Sequence, residues 1–106
     1  MVTTDKKIVR TLVDLCVAHG VENVVLSPGS RNAPLSIAFN RESKMTCRVI
    51  VDERSAAFFA LGLALSSNKP VVVVRTSGTA LLNLAPAVAE AYYQKVPLIV
   101  VSADRP

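Results

Sequence analysis

Two kinds of apolar run alternate along this chain. Short β-branched runs at 21–26, 45–51, 71–74 and 98–101 read as strands, and the stretches between them carry apolar residues at helical spacing. Ile8, Leu12, Leu15 and Cys16 fall on one face of a first helix that begins after Thr4 and stops at Gly20. A second helix is predicted over 33–40, with Pro34 in its first turn. A third, over 55–66, is rich in Ala, Leu and Phe and almost free of charge, which predicts a buried helix. Gly62 lies inside it. Glycine there is about 1 kcal/mol less favourable than alanine, so close packing on a neighbour is expected. A fourth helix carries Asn83 and is kinked or split at Pro86 before resuming through Val88 and Glu90 to about residue 94.

The rhythm is therefore αβαβαβαβ, with no internal repeat or linker. Residues 71–74 are apolar on both faces, as strands covered from both sides are. These features predict an α/β fold, a doubly wound parallel sheet with helices on both faces, in one domain spanning 1–106. The chain stops on Pro106, one residue after Arg105, with no helix to cover the last strand. The expectation is the amino-terminal piece of a longer enzyme.

Sheets of this kind place ligand sites beyond the carboxyl ends of their strands, and polar clusters stand at all four. After the first strand comes Ser27-Pro28-Gly29-Ser30-Arg31, where backbone N–H groups and a guanidinium can converge on a carboxylate or phosphate; an ordinary turn is the alternative. The second strand stops at Asp52-Glu53. Asp52 has a structural role available as N-cap of the next helix. Glu53 has none, and a carboxylate facing apolar neighbours needs a partner, here expected to be a cofactor nitrogen. Thr76-Ser77-Gly78-Thr79 follows the third strand without the lysine of a phosphate-binding P-loop. Ser102-Ala103-Asp104-Arg105-Pro106 ends the fourth.

Composition narrows the partners. A hydrophobic fraction of 51% with 19% charged residues excludes a disordered chain. The net charge of +4 leans towards anionic ligands, but the basic residues are scattered and no basic-aromatic alternation exists, which argues against nucleic acid. No stretch is long enough to span a bilayer and the amino terminus lacks a signal core, so a cytoplasmic protein with no membrane contact is expected. Cys16 and Cys47 sit singly in apolar patterns and read as free thiols, with a disulfide or metal pair as the alternative. His19 reads as a helix-terminal residue near the last carbonyls.

Taken together, Ser27-Pro-Gly-Ser-Arg-Asn-Ala-Pro34, Asp52-Glu-Arg-Ser-Ala-Ala-Phe58, Ala64 after Leu61-Gly-Leu, Thr76-Ser-Gly-Thr79, Glu90-Ala-Tyr-Tyr93 and Ala103-Asp-Arg-Pro106 closely resemble one family. It is the 2-succinyl-5-enolpyruvyl-6-hydroxy-3-cyclohexene-1-carboxylate synthase (MenD) family, thiamine-diphosphate transferases of menaquinone biosynthesis. The resemblance covers the whole chain and implies the first part of a pyrimidine-binding domain. It implies that Glu53 is the catalytic carboxylate, bonded to a ring nitrogen of the aminopyrimidine and favouring the imino tautomer that deprotonates the thiazolium carbon. It further implies that Thr76, Ser77 and Gly78 line the pyrimidine side. Ser30, Arg31 and Arg105 would hold the carboxylates of 2-oxoglutarate and isochorismate. Mg2+ and the cofactor's diphosphate would be held by a domain absent from this chain, so the 106 residues alone are expected to be inactive. The full enzyme would be a homo-oligomer, a dimer or tetramer. Another thiamine-diphosphate carboligase, acetolactate-synthase-like, or a stand-alone α/β anion-binding domain stands as the alternative.

Overall fold

The computed structural model describes residues 3–27, 33–76 and 82–103. Within them helices and strands alternate: α1 (Thr3–Ala18), β1 (Asn23–Leu26), α2 (Ala33–Arg41), β2 (Thr46–Val49), α3 (Glu53–Ser67), β3 (Val71–Thr76), α4 (Ala85–Gln94) and β4 (Leu98–Ala103). The strands form one parallel sheet in the order β2-β1-β3-β4. The direction of winding therefore reverses between β1 and β3, the position at which open α/β sheets leave a crevice at their carboxyl edge.

Side-chain alternation in the central strands divides the core in two. Val24, Leu26, Val72 and Val74 face α1 and α2, where Val13, Cys16, Leu35 and Phe39 close over them. Val25, Val71 and Val73 face α3 and α4, beneath Ala56, Ala57, Ala60, Ala64, Leu84 and Ala87. Helices thus cover both faces, and the run of valines in β3 follows from that double burial. The alanine stripe of α3 supplies no bulk of its own, so the helix backbone can approach the sheet closely.

The end of α1 forms for the reason anticipated. Gly20 has φ +88, a conformation that suits a residue without Cβ just past α1. Asn68 closes α3 in the left-handed region, its N–H bonded to the Ala64 carbonyl. Asn83 and Leu84 form a turn, after which Pro86 sits in the first turn of α4, where its missing N–H leaves no gap in the helix.

Four expectations are corrected. The inward face of α1 is Val9, Leu12, Val13, Cys16 and Val17, whereas Ile8 and Leu15 are 67% and 53% exposed; the true stripe lies one residue round the helix. A Cβ built on Gly62 meets nothing within 4 Å and the residue is exposed, so no close packing explains this glycine. The helix α3 is buried along its alanine face alone, with Phe58 and Phe59 exposed opposite. The ladder of β2 is shorter than 45–51, and β2 is an edge strand of the described sheet; Val51 beyond it is 74% exposed. Cys16 and Cys47 are free thiols, and burial raises the pKa of both.

Candidate functional site at the carboxyl edge of the sheet

Three strand ends are tied together before any helix begins. Backbone N–H groups of Ile50 and Ser27 donate to the carbonyls of Leu26 and Val74, at 3.0 and 3.2 Å. The Ser27 hydroxyl, on a buried residue, donates to the Ile50 carbonyl at 2.9 Å. This lacing fixes the point from which β2 leaves the sheet. Asp52 then stops the extended backbone, at φ −76 and ψ 123, and its side chain accepts the Ser55 N–H at 2.9 Å. That N-cap starts the helix at Glu53. Hydrogen bonding from Ser55 holds the Asp52 carboxyl below the ordinary aspartate range.

Glu53 consequently sits in the first turn of α3, where a negative charge is favoured by the helix dipole. Its Oε2 lies 2.6 Å from Nη2 of Arg75, in the carboxyl half of β3. Arg75 follows Val71 and Val73 in alternation, so it falls on the sheet face covered by α3. The two partners are unequally placed: the Arg75 side chain is 2% exposed and that of Glu53 31%. Among the described residues, Nε and Nη1 of Arg75 find no acceptor. Burial draws the Arg75 guanidinium below its ordinary pKa, opposed by Glu53 and then Asp52. A guanidinium stays protonated in proteins, so Arg75 is a buried cation held against Glu53.

Of the residues singled out from the sequence, Glu53 lies beyond the carboxyl end of β2, but as the first residue of α3 rather than directly at the strand end. Two further parts of the expectation for Glu53 are corrected. Its carboxylate has a protein partner, Arg75, and it is partly exposed rather than enclosed in an apolar pocket. Thr76 is the last residue of β3, in register with Ala103 of β4; only its backbone is described. Ser30, Arg31, Ser77, Gly78 and Arg105 lie outside the described residues. Sequence reasoning missed Arg75 and Ser27. A signal for Arg75 was present: a charge continuing the alternation of Val71 and Val73 at the end of a doubly buried strand must be buried and must find a counter-ion.

The fold and this edge define a doubly wound α/β domain with an acidic group, Glu53, held against a buried arginine at the carboxyl edge of its sheet. Residues 6–106 match the family described as thiamine pyrophosphate enzyme, N-terminal TPP binding domain, and the chain belongs to that family.

The chain is 67% identical over 88 residues to the 2-succinyl-5-enolpyruvyl-6-hydroxy-3-cyclohexene-1-carboxylate synthase of Cytophaga hutchinsonii, covering 83% of this chain and 16% of that protein. It is 60% identical over 99 residues to the synthase of the same name from Christiangramia forsetii, covering 93% and 17%. With that of Bacteroides thetaiotaomicron it shares 58% over 103 residues, covering 97% and 19%. The chain thus spans less than a fifth of the length of these curated relatives. Among solved structures, benzoylformate decarboxylase from Polynucleobacter necessarius superposes with a TM-score of 0.77 at 31% identity, over 90% of this chain and 18% of that one.

Proposed function

We propose that this chain is the amino-terminal, pyrimidine-binding part of a thiamine-diphosphate-dependent 2-succinyl-5-enolpyruvyl-6-hydroxy-3-cyclohexene-1-carboxylate synthase. The whole protein would decarboxylate 2-oxoglutarate and join the remaining four-carbon unit to isochorismate, in menaquinone biosynthesis. The observation that carries the reading is the placement of Glu53. It is a partly exposed carboxylate at the carboxyl edge of the sheet, in a chain 58–67% identical to three synthases of that name.

The residues present fit one end of the cofactor. Glu53 has Oε2 on Arg75 and a side chain still 31% exposed, so a ring nitrogen can reach the carboxylate. On this reading Mg2+ and the diphosphate are held by other parts of the protein. When bound, thiamine diphosphate supplies an electron sink for decarboxylation and carbon–carbon bond formation. The chain's contribution is to bind and orient. Glu53 would hold a proton at the aminopyrimidine ring nitrogen, and Thr76, Ser77 and Gly78 would contact that end of the cofactor. Ser30, Arg31 and Arg105 pair with substrate carboxylates, which both substrates carry. The whole protein is a cytoplasmic homo-oligomer, a dimer or tetramer. Among the described residues no helix is long and apolar enough to cross a membrane.

The test is substitution in the complete protein that carries this chain. Glu53→Gln should lower turnover by about 10²–10⁴, the range typical of a positioned proton-transfer group. Near-normal turnover would refute the role. Arg31→Ala and Arg105→Ala should each weaken substrate use; unchanged kinetic constants in both would remove the carboxylate-binding assignment.

A further inference from the structure

The Glu53–Arg75 pair is built unlike a structural salt bridge. Arg75 meets Glu53 through one nitrogen, Nη2, on one oxygen, Oε2. Arg–carboxylate pairs that hold folds together are commonly bidentate. Here Nε and Nη1 are buried and find no acceptor among the described residues. Taking a guanidinium out of water and leaving donors unmatched is unfavourable, and a single contact with a partly exposed carboxylate returns little of that loss. The preceding residues of β3, Val71 to Val74, show that apolar side chains suit this strand. Arg75 is therefore poorly explained by stability, and what it does hold is one oxygen of Glu53.

We propose that Arg75 is a positioning residue, which fixes the Glu53 carboxylate by Oε2 so that the other oxygen is presented to the cofactor's aminopyrimidine. This rests on the reading of Glu53 given above. Asp52 has a structural task of its own, its Oδ2 accepting the Ser55 N–H as the N-cap of α3. Arg54, beside it on α3, is exposed, whereas Arg75 comes from the neighbouring central strand and cannot swing away without leaving the core. The fixed partner is thus the strand residue.

The two partners should respond unequally to substitution. Removing Arg75 leaves a carboxylate that is already one-third exposed and can rehydrate. Removing the charge of Glu53 strands a guanidinium that cannot. Arg75→Met, Arg75→Lys and Glu53→Gln would be made in the complete protein. Each would be followed by its cofactor-free denaturation midpoint, by the dissociation constant for thiamine diphosphate from calorimetry, and by kcat and KM for 2-oxoglutarate. Arg75→Met should melt at or above wild type, and Glu53→Gln below it. Arg75→Met should weaken cofactor binding several-fold and lower kcat by about 10- to 100-fold, the scale of a slightly misplaced catalytic group. Its KM for 2-oxoglutarate should move less than about twofold, and Arg75→Lys should recover part of kcat.

An Arg75→Met protein that fails to fold, or melts well below wild type, would make the pair structural and overturn the proposal. So would cofactor binding and kcat both unchanged. Should the wild-type protein bind thiamine diphosphate yet not turn over these substrates, the synthase reading fails alone. The dissociation constants then still decide the role of Arg75.

Discussion

The Ser27 hydroxyl and the Ile50 carbonyl are joined at 2.9 Å across the carboxyl edge of the sheet, where regular ladder pairing gives way to the turns. Backbone pairing brings Ile50 alongside Leu26, and the Ser27 side chain adds a second tie two residues before the Asp52 cap. The position of Glu53 thus depends on a serine that belongs to another strand end.

Ser27→Ala should therefore destabilise the fold by about 1 kcal/mol, the net worth of one intramolecular hydrogen bond. Urea denaturation of the complete protein checks this, and an unchanged midpoint would show that the tie contributes nothing. Because the tie also sets where α3 begins, the same variant should bind thiamine diphosphate less tightly.

Asp52 caps α3, and Asp52→Ala should lower stability while Asp52→Asn, which keeps a cap oxygen, lowers it less. The pH dependence has a definite sign. The Ser55 hydrogen bonds hold the folded-state pKa below the unfolded one. The contribution is thus fully present above the ordinary aspartate pKa of about 3.9 and disappears as pH falls through the lower folded value. The stability difference between wild type and Asp52→Asn should shrink on acidification below that point. A difference that stays constant down to pH 2 would contradict the charge-assisted cap.

Gly62 is exposed within α3, with room for a methyl group. Gly62→Ala should raise stability by about 0.5–1 kcal/mol by restricting the unfolded chain and favouring the helix. Thermal denaturation reads this directly. A lower midpoint would mean that another part of the protein packs on Gly62.

The architecture was legible because its causes are local. Strand-length apolar runs, Pro34, Pro86 and Gly20 each mark an element or its end within a few residues. The doubly buried β3 could be read from four consecutive valines, and the Asp52 cap from its place before a helical pattern. The inward face of α1 was harder to read, since Ile8 and Leu15 fit helical spacing as well as Val9 and Val13 do. The choice between them is made by where β1 and β3 lie. Edge position likewise comes from sheet order, so the β-branched run ending at Val51 gave no sign that Val49 and Val51 would be exposed.

The site was half legible for the same reason. Glu53 stands out from its neighbours in sequence, but its contact with Arg75 joins the start of α3 to β3, a strand that does not pair with the β2 preceding that helix. It exists only because α3 crosses the sheet from β2 to β3. No spacing rule brings residues 53 and 75 together. The burial of Arg75 could be anticipated from strand alternation, whereas its single-point pairing and unmatched nitrogens could not.

The synthase activity is tested by following isochorismate with the complete protein, in the presence of Mg2+, while thiamine diphosphate and 2-oxoglutarate are each supplied or withheld. Loss of isochorismate that requires both is the expected result. Loss without either requirement, or pyruvate accepted in place of 2-oxoglutarate, would contradict the synthase reading, the latter in favour of a sister carboligase.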